Sequence, residues 1–208
     1  MVFSLILIII FLIVLYTILP RYNEPLLLGE FISPEEADYI KRKASKELNA
    51  SRISIDKDVD TDIRHSETAW LSLKDSKIRK IAHRCLAIVD KPIVNCEFMQ
   101  VVKYNKGGFY KPHYDTLANM KNPRVHTFII ALNEDYDGGA TIFPNLGKMF
   151  KYKTGDVLIF DNLNSYGFKT KKAIHGGMDV TRGEKWVCNL WVRRHKCETS
   201  PLRGRPEI

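Results

Sequence analysis

The sequence has few cysteines, and their spacing argues against the common cysteine motifs. Four of the 208 residues are cysteine, and no two of them are spaced as C-x-x-C. A zinc ribbon or a dithiol redox site is therefore not predicted. Cys188 lies in an alternating apolar stretch that predicts a core position, and pairing among the four cysteines stays open. Internal repeats and low-complexity tracts are also missing, which excludes repeat arrays and compositionally biased proteins.

No charged side chain, positive or negative, precedes Arg21. Residues 1–19 are almost wholly Leu, Ile, Val and Phe, and as a helix they would span about 28 Å, close to the hydrocarbon thickness of a bilayer. A cleaved signal peptide is the alternative, but the segment has neither a basic start nor a small-residue cleavage site. The sequence therefore predicts a single-pass membrane protein with a transmembrane anchor at 1–19, a linker at 20–27 and one folded domain at 28–208.

The remaining chain is basic, with a formal net charge of +8. A basic surface can face nucleic acid, anionic lipid or an acidic peptide. The lysines and arginines are scattered, and only Arg193–Lys196 forms a cluster. This scatter favours an ordinary basic surface, and a nucleic-acid partner is disfavoured.

The local patterns predict two helices followed by many short strands. Ser33 and Glu36 form a capping box at the start of the first helix, and 74–89 has an apolar stripe at helical spacing. Residues 49–68 are polar and weakly periodic, which predicts a long loop. From Asn95 onward, short apolar strands alternate with turns that contain Gly and Asp. This order favours an α+β fold, a double-stranded β-helix (jelly roll) with packing helices.

One constellation suggests metal chemistry. His113 and Asp115 are two residues apart in a predicted strand from 109 to 115, so both side chains would point to the same face. A second histidine, His175, stands about sixty residues later. Two histidines and one carboxylate form the facial triad of non-haem iron(II) oxygenases, which leaves open positions on the metal. H-x-D alone is weak evidence, because a surface turn with a stray histidine gives the same pattern.

The H-x-D pattern belongs to a set of seven motifs that follow one order along the chain. They are Phe31–Glu36, Arg64–Ser66, Gln100–Tyr104, Lys111–Asp115, Gly138–Pro144, Gly155–Asp156 and Gly183–Trp186. With these motifs at compatible spacing, the chain from Leu28 to about Arg193 resembles the catalytic domain of the prolyl 4-hydroxylases. These enzymes belong to the iron(II)- and 2-oxoglutarate-dependent dioxygenase superfamily. The resemblance implies hydroxylation of peptidyl proline at C4, coupled to oxidative decarboxylation of 2-oxoglutarate to succinate and CO2.

The resemblance also implies the cofactors and their principal residues. His113, Asp115 and His175 would hold Fe(II), with O2 as the second substrate and ascorbate as a further cofactor. Lys185 would pair with the distal carboxylate of 2-oxoglutarate, because a buried dianion needs a cation. Lysine at this position is typical of the collagen-type and plant-type prolyl hydroxylases, whereas relatives that hydroxylate lysine, sense oxygen or demethylate nucleic acid generally carry arginine there.

Five more residues receive roles from the resemblance. The hydroxyl groups of Tyr104 and Thr141 would donate hydrogen bonds to the cosubstrate, and Trp191 would form a wall of its pocket. Tyr110 and Arg124 match positions that line the peptide groove. Without the motifs, core packing would be the simpler interpretation of Trp191.

The resemblance is incomplete in places. Thr116 stands where an aromatic residue is common, and Arg193 stands where histidine is often found, which leaves substrate detail open. The separate peptide-binding domain of collagen hydroxylase subunits has no counterpart, so a disulfide isomerase partner is not implied. The expected protein is a monomer that acts on a proline-containing peptide, with the lumenal side of the endoplasmic reticulum membrane favoured as its location.

Two alternatives remain open. The same site could hydroxylate another side chain or nucleic acid, or the fold could serve as a binding protein without turnover. The complete triad and Lys185 argue against the second alternative.

Overall fold

The computed structural model describes residues 5–11, 18–52, 60–116 and 121–198. This part of the chain has two packing helices and fourteen short strands. The helices are α1 (Pro34–Ala44) and α2 (Ser76–Val89). The strands are β1 (Leu26–Leu28), β2 (Asn49–Ala50), β3 (Arg64–His65), β4 (Glu67–Leu71), β5 (Met99–Tyr104), β6 (Phe109–His113), β7 (Arg124–Ala131), β8 (Tyr136–Gly138), β9 (Thr141–Phe143), β10 (Lys148–Phe150), β11 (Val157–Asp161), β12 (His175–Gly177), β13 (Val180–Gly183) and β14 (Lys185–Arg193).

The strands form two main antiparallel sheets. The larger sheet has the order β1-β11-β7-β14-β5-β4-β2, and the smaller has the order β10-β9-β12-β6-β3. A separate two-stranded ribbon joins β8 and β13. This sheet-rich arrangement with few helices is consistent with the predicted jelly roll.

The helices cover one face of the larger sheet. Successive strand residues point to opposite faces, so every second residue of β5, β7 and β14 points toward the helices. This layer is fully apolar, and it includes Ile40 and Ile78 from the helices with Val101, Ile130 and Cys188 from the sheet. Cys188 therefore occupies the core position that its sequence context predicts.

The opposite face of the larger sheet packs against the smaller sheet. The neighbours of the residues that face the helices point to the other side of the sheet. They include Val102, Ile129 and Val187, which pack with Phe143 and Phe160 in a second hydrophobic core. The site described below lies at the edge of this second core, because two of its members surround a histidine of the smaller sheet.

Both helices begin at side-chain caps. Ser33 Oγ accepts a hydrogen bond from the Glu36 backbone N–H (3.2 Å), and the Glu36 carboxylate accepts one from the Ser33 N–H (3.0 Å). The predicted capping box is therefore present. In α2 the Asp75 carboxylate accepts from the backbone N–H groups of Lys77 and Ile78, which moves the helix start two residues beyond the predicted Lys74.

The predicted loop at 49–68 is partly strand. Strand β2 pairs with β4, and β3 pairs with β6 at the edge of the smaller sheet. These strands are short and polar, and their pairing depends on the neighbouring strand rather than on their own apolar period. Residues 53–59 of the predicted loop lie outside the described residues.

The prediction of a membrane anchor is not supported. Residues 1–4 and 12–17 lie outside the described residues. Within the described ranges, no helix combines the length and the apolar character that a crossing requires. This finding overturns the predicted single-pass location in a membrane, including that of the endoplasmic reticulum.

The segment predicted as a linker, 20–27, contacts the larger sheet. Its last two residues belong to β1, which pairs with β11. The Tyr22 hydroxyl donates a hydrogen bond to the Asp161 carbonyl at the end of β11 (2.9 Å), and Glu24 pairs with Lys148. Residues 22–28 therefore lie along the β11 edge of the larger sheet, and Glu24 also contacts β10 of the smaller sheet.

Candidate metal centre

Two histidines face each other across one strand pair. His113 ends β6 and His175 begins β12, and they are direct partners in this antiparallel pair, with ring centroids 4.5 Å apart. Gly176 permits the close approach, because a Cβ at this position would lie 2.9 Å from the Tyr110 carbonyl oxygen. Strand register therefore brings together two residues that are far apart in the chain.

Asp115 completes the group from a bend after the strand. Strand β6 ends at His113, so Asp115 does not extend the strand as alternation predicts. Its carboxylate oxygens nevertheless lie 3.5 Å from His113 Nε2 and 3.6 Å from His175 Nε2. One donor atom from each of the three residues lies within 4.8 Å of the others. The structure thus brings together the three residues predicted as metal ligands.

Hydrogen bonds select the same nitrogen of each imidazole. His113 Nδ1 lies 2.9 Å from the Lys111 carbonyl oxygen, and His175 Nδ1 lies 3.1 Å from the Ala173 carbonyl oxygen. A carbonyl oxygen can only accept, so Nδ1 carries the proton in both rings and Nε2 keeps its lone pair. Both Nε2 atoms point toward Asp115, which is the arrangement that a shared cation requires.

The ionisation states also suit a metal. Burial lowers the pKa of His175 to about 4, although Asp115 opposes this shift. Burial alone would raise the pKa of the Asp115 carboxyl, but His175, His113 and Arg124 outweigh it and hold the pKa well below its usual range. At neutral pH the site therefore offers neutral imidazole and ionised carboxylate. Two imidazoles with one carboxylate fit ferrous iron, whereas Mg²⁺ and Ca²⁺ prefer oxygen ligands throughout.

Lys185 lies in a second polar group beside this centre. Its side chain is 3% exposed, and Nζ donates to the Gly139 carbonyl oxygen (2.7 Å). The rings of Tyr104 and Tyr152 flank the ammonium, with centroids 5.6 and 5.2 Å from Nζ. None of the described residues pairs a carboxylate with it, and burial lowers the pKa of Lys185 to about 7. A buried ammonium without a counter-ion fits an anionic ligand.

Comparison with known proteins identifies the family. Residues 99–193 match the family model described as the 2OG-Fe(II) oxygenase superfamily. The chain is 33% identical over 186 residues to a putative prolyl 4-hydroxylase of Acanthamoeba polyphaga mimivirus, covering 84% of this chain and 76% of that protein. The chain is a prolyl 4-hydroxylase-like 2OG-Fe(II) dioxygenase.

Two further relatives agree with this assignment. Prolyl 4-hydroxylase 1 of Arabidopsis thaliana is 32% identical over 193 residues, covering 81% of this chain and 68% of that protein. The viral collagen prolyl hydroxylase of Paramecium bursaria Chlorella virus-1, solved as a 2-oxoglutarate complex, superposes with a TM-score of 0.69. That match has 27% identity and covers 82% of this chain and 96% of that structure. Dioxygenases of this family require Fe(II), 2-oxoglutarate and O2.

Tyr152 is a residue of the dioxygenase that the sequence analysis did not single out. It is buried between the exposed residues Lys151 and Lys153, and its hydroxyl makes no hydrogen bond of standard geometry among the described residues. Burial raises its pKa, and the neighbouring hydroxyl of Thr141, which is also buried, partly opposes this shift. A lone aromatic residue between two lysines was the available signal. An unpaired buried hydroxyl beside Lys185 fits a ligand that accepts hydrogen bonds.

Trp191 makes a contact that the sequence analysis did not predict, and its role as a wall of the cosubstrate pocket stays a prediction. Its indole Nε1 donates a hydrogen bond to Asp115 Oδ2 (2.9 Å), so the ring contacts the metal-ligand group directly. Thr127 Oγ1 donates to the same oxygen (2.7 Å). Sequence reasoning missed Thr127, because a single threonine in an apolar strand gives no functional signal.

Tyr110 lies beside the metal-ligand group, and its place in a peptide groove stays a prediction. Its ring stacks on His113 with centroids 3.6 Å apart, and the Arg64 guanidinium lies 4.7 Å from the Tyr110 ring centroid. Arg64 also lines a cavity of about 340 Å³ with Thr61 and Asn105. Arg64 lies in β3, which pairs with β6, and it was not singled out as a site residue from the sequence.

Arg124 forms an ion pair with Glu97 inside the protein. Its Nε and Nη2 atoms donate to the two carboxylate oxygens of Glu97, each at 2.7 Å, and its guanidinium lies 3.7 Å from the Trp191 ring centroid. Arg193 pairs with the same carboxylate at 2.8 Å. Arg124 Nη1 also donates to the Asp115 backbone carbonyl oxygen (3.3 Å), so Arg124 contacts the segment that carries this metal-ligand residue.

Proposed function

We propose that the protein hydroxylates peptidyl proline at C4, coupled to oxidative decarboxylation of 2-oxoglutarate to succinate and CO2. The observation that supports this most directly is that two groups occur together. One is the cluster of two histidines and one carboxylate, and the other is the buried ammonium of Lys185, which has no carboxylate partner among the described residues. The names of the relatives point to proline as the target, and prolyl hydroxylases act on proline-containing peptides.

In this proposal His113 Nε2, His175 Nε2 and one Asp115 oxygen hold Fe(II). The bound metal, with O2 and 2-oxoglutarate, supplies the oxidising chemistry. Both imidazoles are held by backbone carbonyls, so the protein does not need to reorganise them when the metal binds. Phe143 and Phe160 pack around the His175 ring and keep water from this side of the site.

Lys185 holds the distal carboxylate of 2-oxoglutarate, with hydroxyl groups from Tyr104, Thr141 and Tyr152. The register supports this grouping. Tyr104 is the direct partner of Lys185 across β5 and β14, and Thr141 pairs with Gly177 at the end of β12. The dianion would then lie between the ammonium on the larger sheet and the metal ligands on the smaller one.

Tyr110 lies on the open side of His113, where a peptide can approach, and it is the better supported of the two predicted groove residues. The Tyr110 ring is partly exposed and packs on both His113 and Arg64. Arg124 acts on the peptide indirectly, because its guanidinium is already paired with Glu97.

The test is succinate formation by the full chain with Fe(II), 2-oxoglutarate and O2. A proline-rich peptide should stimulate succinate release, and the hydrolysed product should contain 4-hydroxyproline. The matched control is the same peptide with every proline replaced by alanine, which should give only the background rate. Stimulation by an oligonucleotide or by a lysine-containing, proline-free peptide would replace this proposal with the alternative substrate class.

A further inference from the structure

The two oxygens of Asp115 have different surroundings. Oδ2 accepts two hydrogen bonds, from Thr127 Oγ1 (2.7 Å) and from Trp191 Nε1 (2.9 Å). Oδ1 receives neither of these hydrogen bonds and lies 3.5 Å from His113 Nε2, whereas Oδ2 lies 3.6 Å from His175 Nε2. An ionised carboxylate oxygen has about two lone-pair directions, so two donors fill those of Oδ2.

The direction of the Thr127 hydrogen bond is fixed by a third residue. Asn162 Nδ2 donates to Thr127 Oγ1 (2.9 Å), which leaves the threonine proton for Asp115. Asn162 is 1% exposed, and its Oδ1 has no hydrogen-bond partner among the described residues. An unsatisfied buried oxygen destabilises the fold. The fold keeps this asparagine in a position where only its donor is used.

Strand register places these donors together. Thr127 and Trp191 are direct partners across β7 and β14, so their side chains lie side by side on one face of the larger sheet. The Trp191 ring is held between Trp70, with centroids 6.0 Å apart, and the Arg124 guanidinium, 3.7 Å from its centroid. The indole therefore has little freedom to turn away from Asp115.

We propose that Thr127 and Trp191 are positioning residues that occupy Asp115 Oδ2 and leave Oδ1 as the single metal donor of this carboxylate. A carboxylate can bind a cation through one oxygen or through both, and the second mode takes an additional position on the metal. Holding Oδ2 in two hydrogen bonds selects the first mode and keeps that position for the cosubstrate and O2. This inference rests on the proposed metal-binding role of Asp115.

The test uses metal-free full chain and Co(II) as the probe, with the visible absorption spectrum reporting coordination. Thr127→Val removes the hydroxyl at similar volume, and Trp191→Phe removes the indole N–H. Changes to residues that hydrogen-bond a metal ligand typically cost about 10- to 100-fold in affinity. We therefore expect both variants to bind Co(II) about 10- to 100-fold more weakly with an altered spectrum, whereas Thr127→Ser, which keeps the hydroxyl, should remain within a few-fold of the unaltered chain.

Trp186→Phe is the matched control. Trp186 lies in the same strand but donates to Glu184, so its loss tests packing without touching Asp115. Its Co(II) affinity should not change. Normal Co(II) affinity and spectrum in Thr127→Val or in Trp191→Phe would overturn the inference, and so would an equal loss in Trp186→Phe. Failure of the unaltered chain to bind Co(II) would instead overturn the proposed function, and this inference with it.

Discussion

Asp115 and Trp191 are joined across the two sheets by a hydrogen bond of 2.9 Å between Nε1 and Oδ2. Asp115 follows β6 of the smaller sheet, whereas Trp191 lies in β14 of the larger one. The candidate metal ligands thus come from one sheet, and the donors that orient their carboxylate come from the other. The geometry of the site therefore depends on how the two sheets pack, as well as on the H-x-D sequence.

Alanine substitution of a triad residue should abolish succinate formation and leave the fold intact. His113, Asp115 and His175 each supply one donor, and the described residues offer no replacement within the cluster. The measurements are bound iron per chain, turnover and the circular dichroism spectrum. His83→Ala is the control, because His83 is exposed on α2 and should keep full activity. Full activity with stoichiometric iron in any triad variant would contradict the assignment.

The sequence predicts the triad because its evidence is local. H-x-D is contiguous, and the surrounding motifs preserve order and spacing, so His175 could be found without knowing the register. The same holds for the capping box at Ser33, whose residues are three apart. Local chemistry of this kind is visible in a single sequence.

Residues that act through tertiary contacts were not predictable in the same way. Thr127 and Asn162 contact the site only because β7, β11 and β14 are neighbours in the larger sheet. Arg124 matches a groove position in sequence, but its guanidinium is paired with Glu97, a residue of a separate segment. The apolar composition of 1–19 predicted an anchor, whereas no helix among the described residues is long and apolar enough to cross a membrane.

Tyr152→Phe should have opposite effects on stability and on cosubstrate use. Removing an unpaired buried hydroxyl should leave the metal-free chain as stable or up to about 1–3 kcal/mol more stable. If the hydroxyl donates to 2-oxoglutarate, its removal loses a hydrogen bond to a charged group, which costs about 1.5–3 kcal/mol. The 2-oxoglutarate concentration at half-saturation should then rise by roughly 10- to 100-fold. The measurements are urea unfolding and succinate formation against 2-oxoglutarate concentration.

Tyr39→Phe is the control for that variant. The Tyr39 hydroxyl is paired with Asp75 on the helical layer (2.7 Å), so its loss should lower stability slightly and leave cosubstrate use unchanged. A Tyr152→Phe enzyme with normal half-saturation would remove Tyr152 from the proposed pocket.

Glu97→Gln should destabilise the protein and flatten its acid unfolding. Burial alone would raise the pKa of Glu97, but Arg124 and Arg193 outweigh it, and the net shift is downward. The folded pKa thus lies below the unfolded value, so the ionised group contributes stability above about pH 4.3 that is lost as the pH falls through the folded pKa. Breaking this buried pair should cost about 3 kcal/mol at pH 7.

Urea unfolding at pH 7 and at pH 3.5 measures both effects. The stability difference between the two pH values should be smaller in Glu97→Gln than in the unaltered chain. Glu47→Gln, at an exposed position, should behave like the unaltered chain at both pH values. An undiminished acid dependence in Glu97→Gln would show that other carboxylates carry it.

Binding of 2-oxoglutarate should weaken as the pH rises above about 7. Burial lowers the pKa of Lys185 to about 7, so the free site loses its ammonium above that value. A dianion requires the charged form, and the apparent Kd should rise by up to about tenfold per pH unit above 7 and level off below it. Arginine stays protonated throughout this range, so Lys185→Arg should give a flat profile. A pH-independent Kd in the unaltered chain would contradict this prediction.

Lys185→Ala should chiefly weaken the use of 2-oxoglutarate. Removing one partner of a buried charge pair costs about 3–5 kcal/mol, because the other charge is left uncompensated. At about 1.4 kcal/mol per decade, this is roughly a hundred- to several-thousand-fold in cosubstrate affinity. Lys185→Arg should recover only part of the loss, since the planar and larger guanidinium needs a differently shaped pocket than the one formed by Tyr104 and Tyr152.

The measurement for Lys185→Ala is succinate formation against 2-oxoglutarate concentration at saturating Fe(II) and peptide. Iron affinity should not change, because Lys185 is not among the metal-ligand residues. Lys103→Ala is the control: it removes a lysine from the neighbouring strand whose partners are Glu67 and Glu184, so cosubstrate use should be normal. If Lys185→Ala leaves the 2-oxoglutarate concentration at half-saturation unchanged, the cosubstrate binds elsewhere. The assignment to the lysine-containing prolyl hydroxylases would then lack its main support.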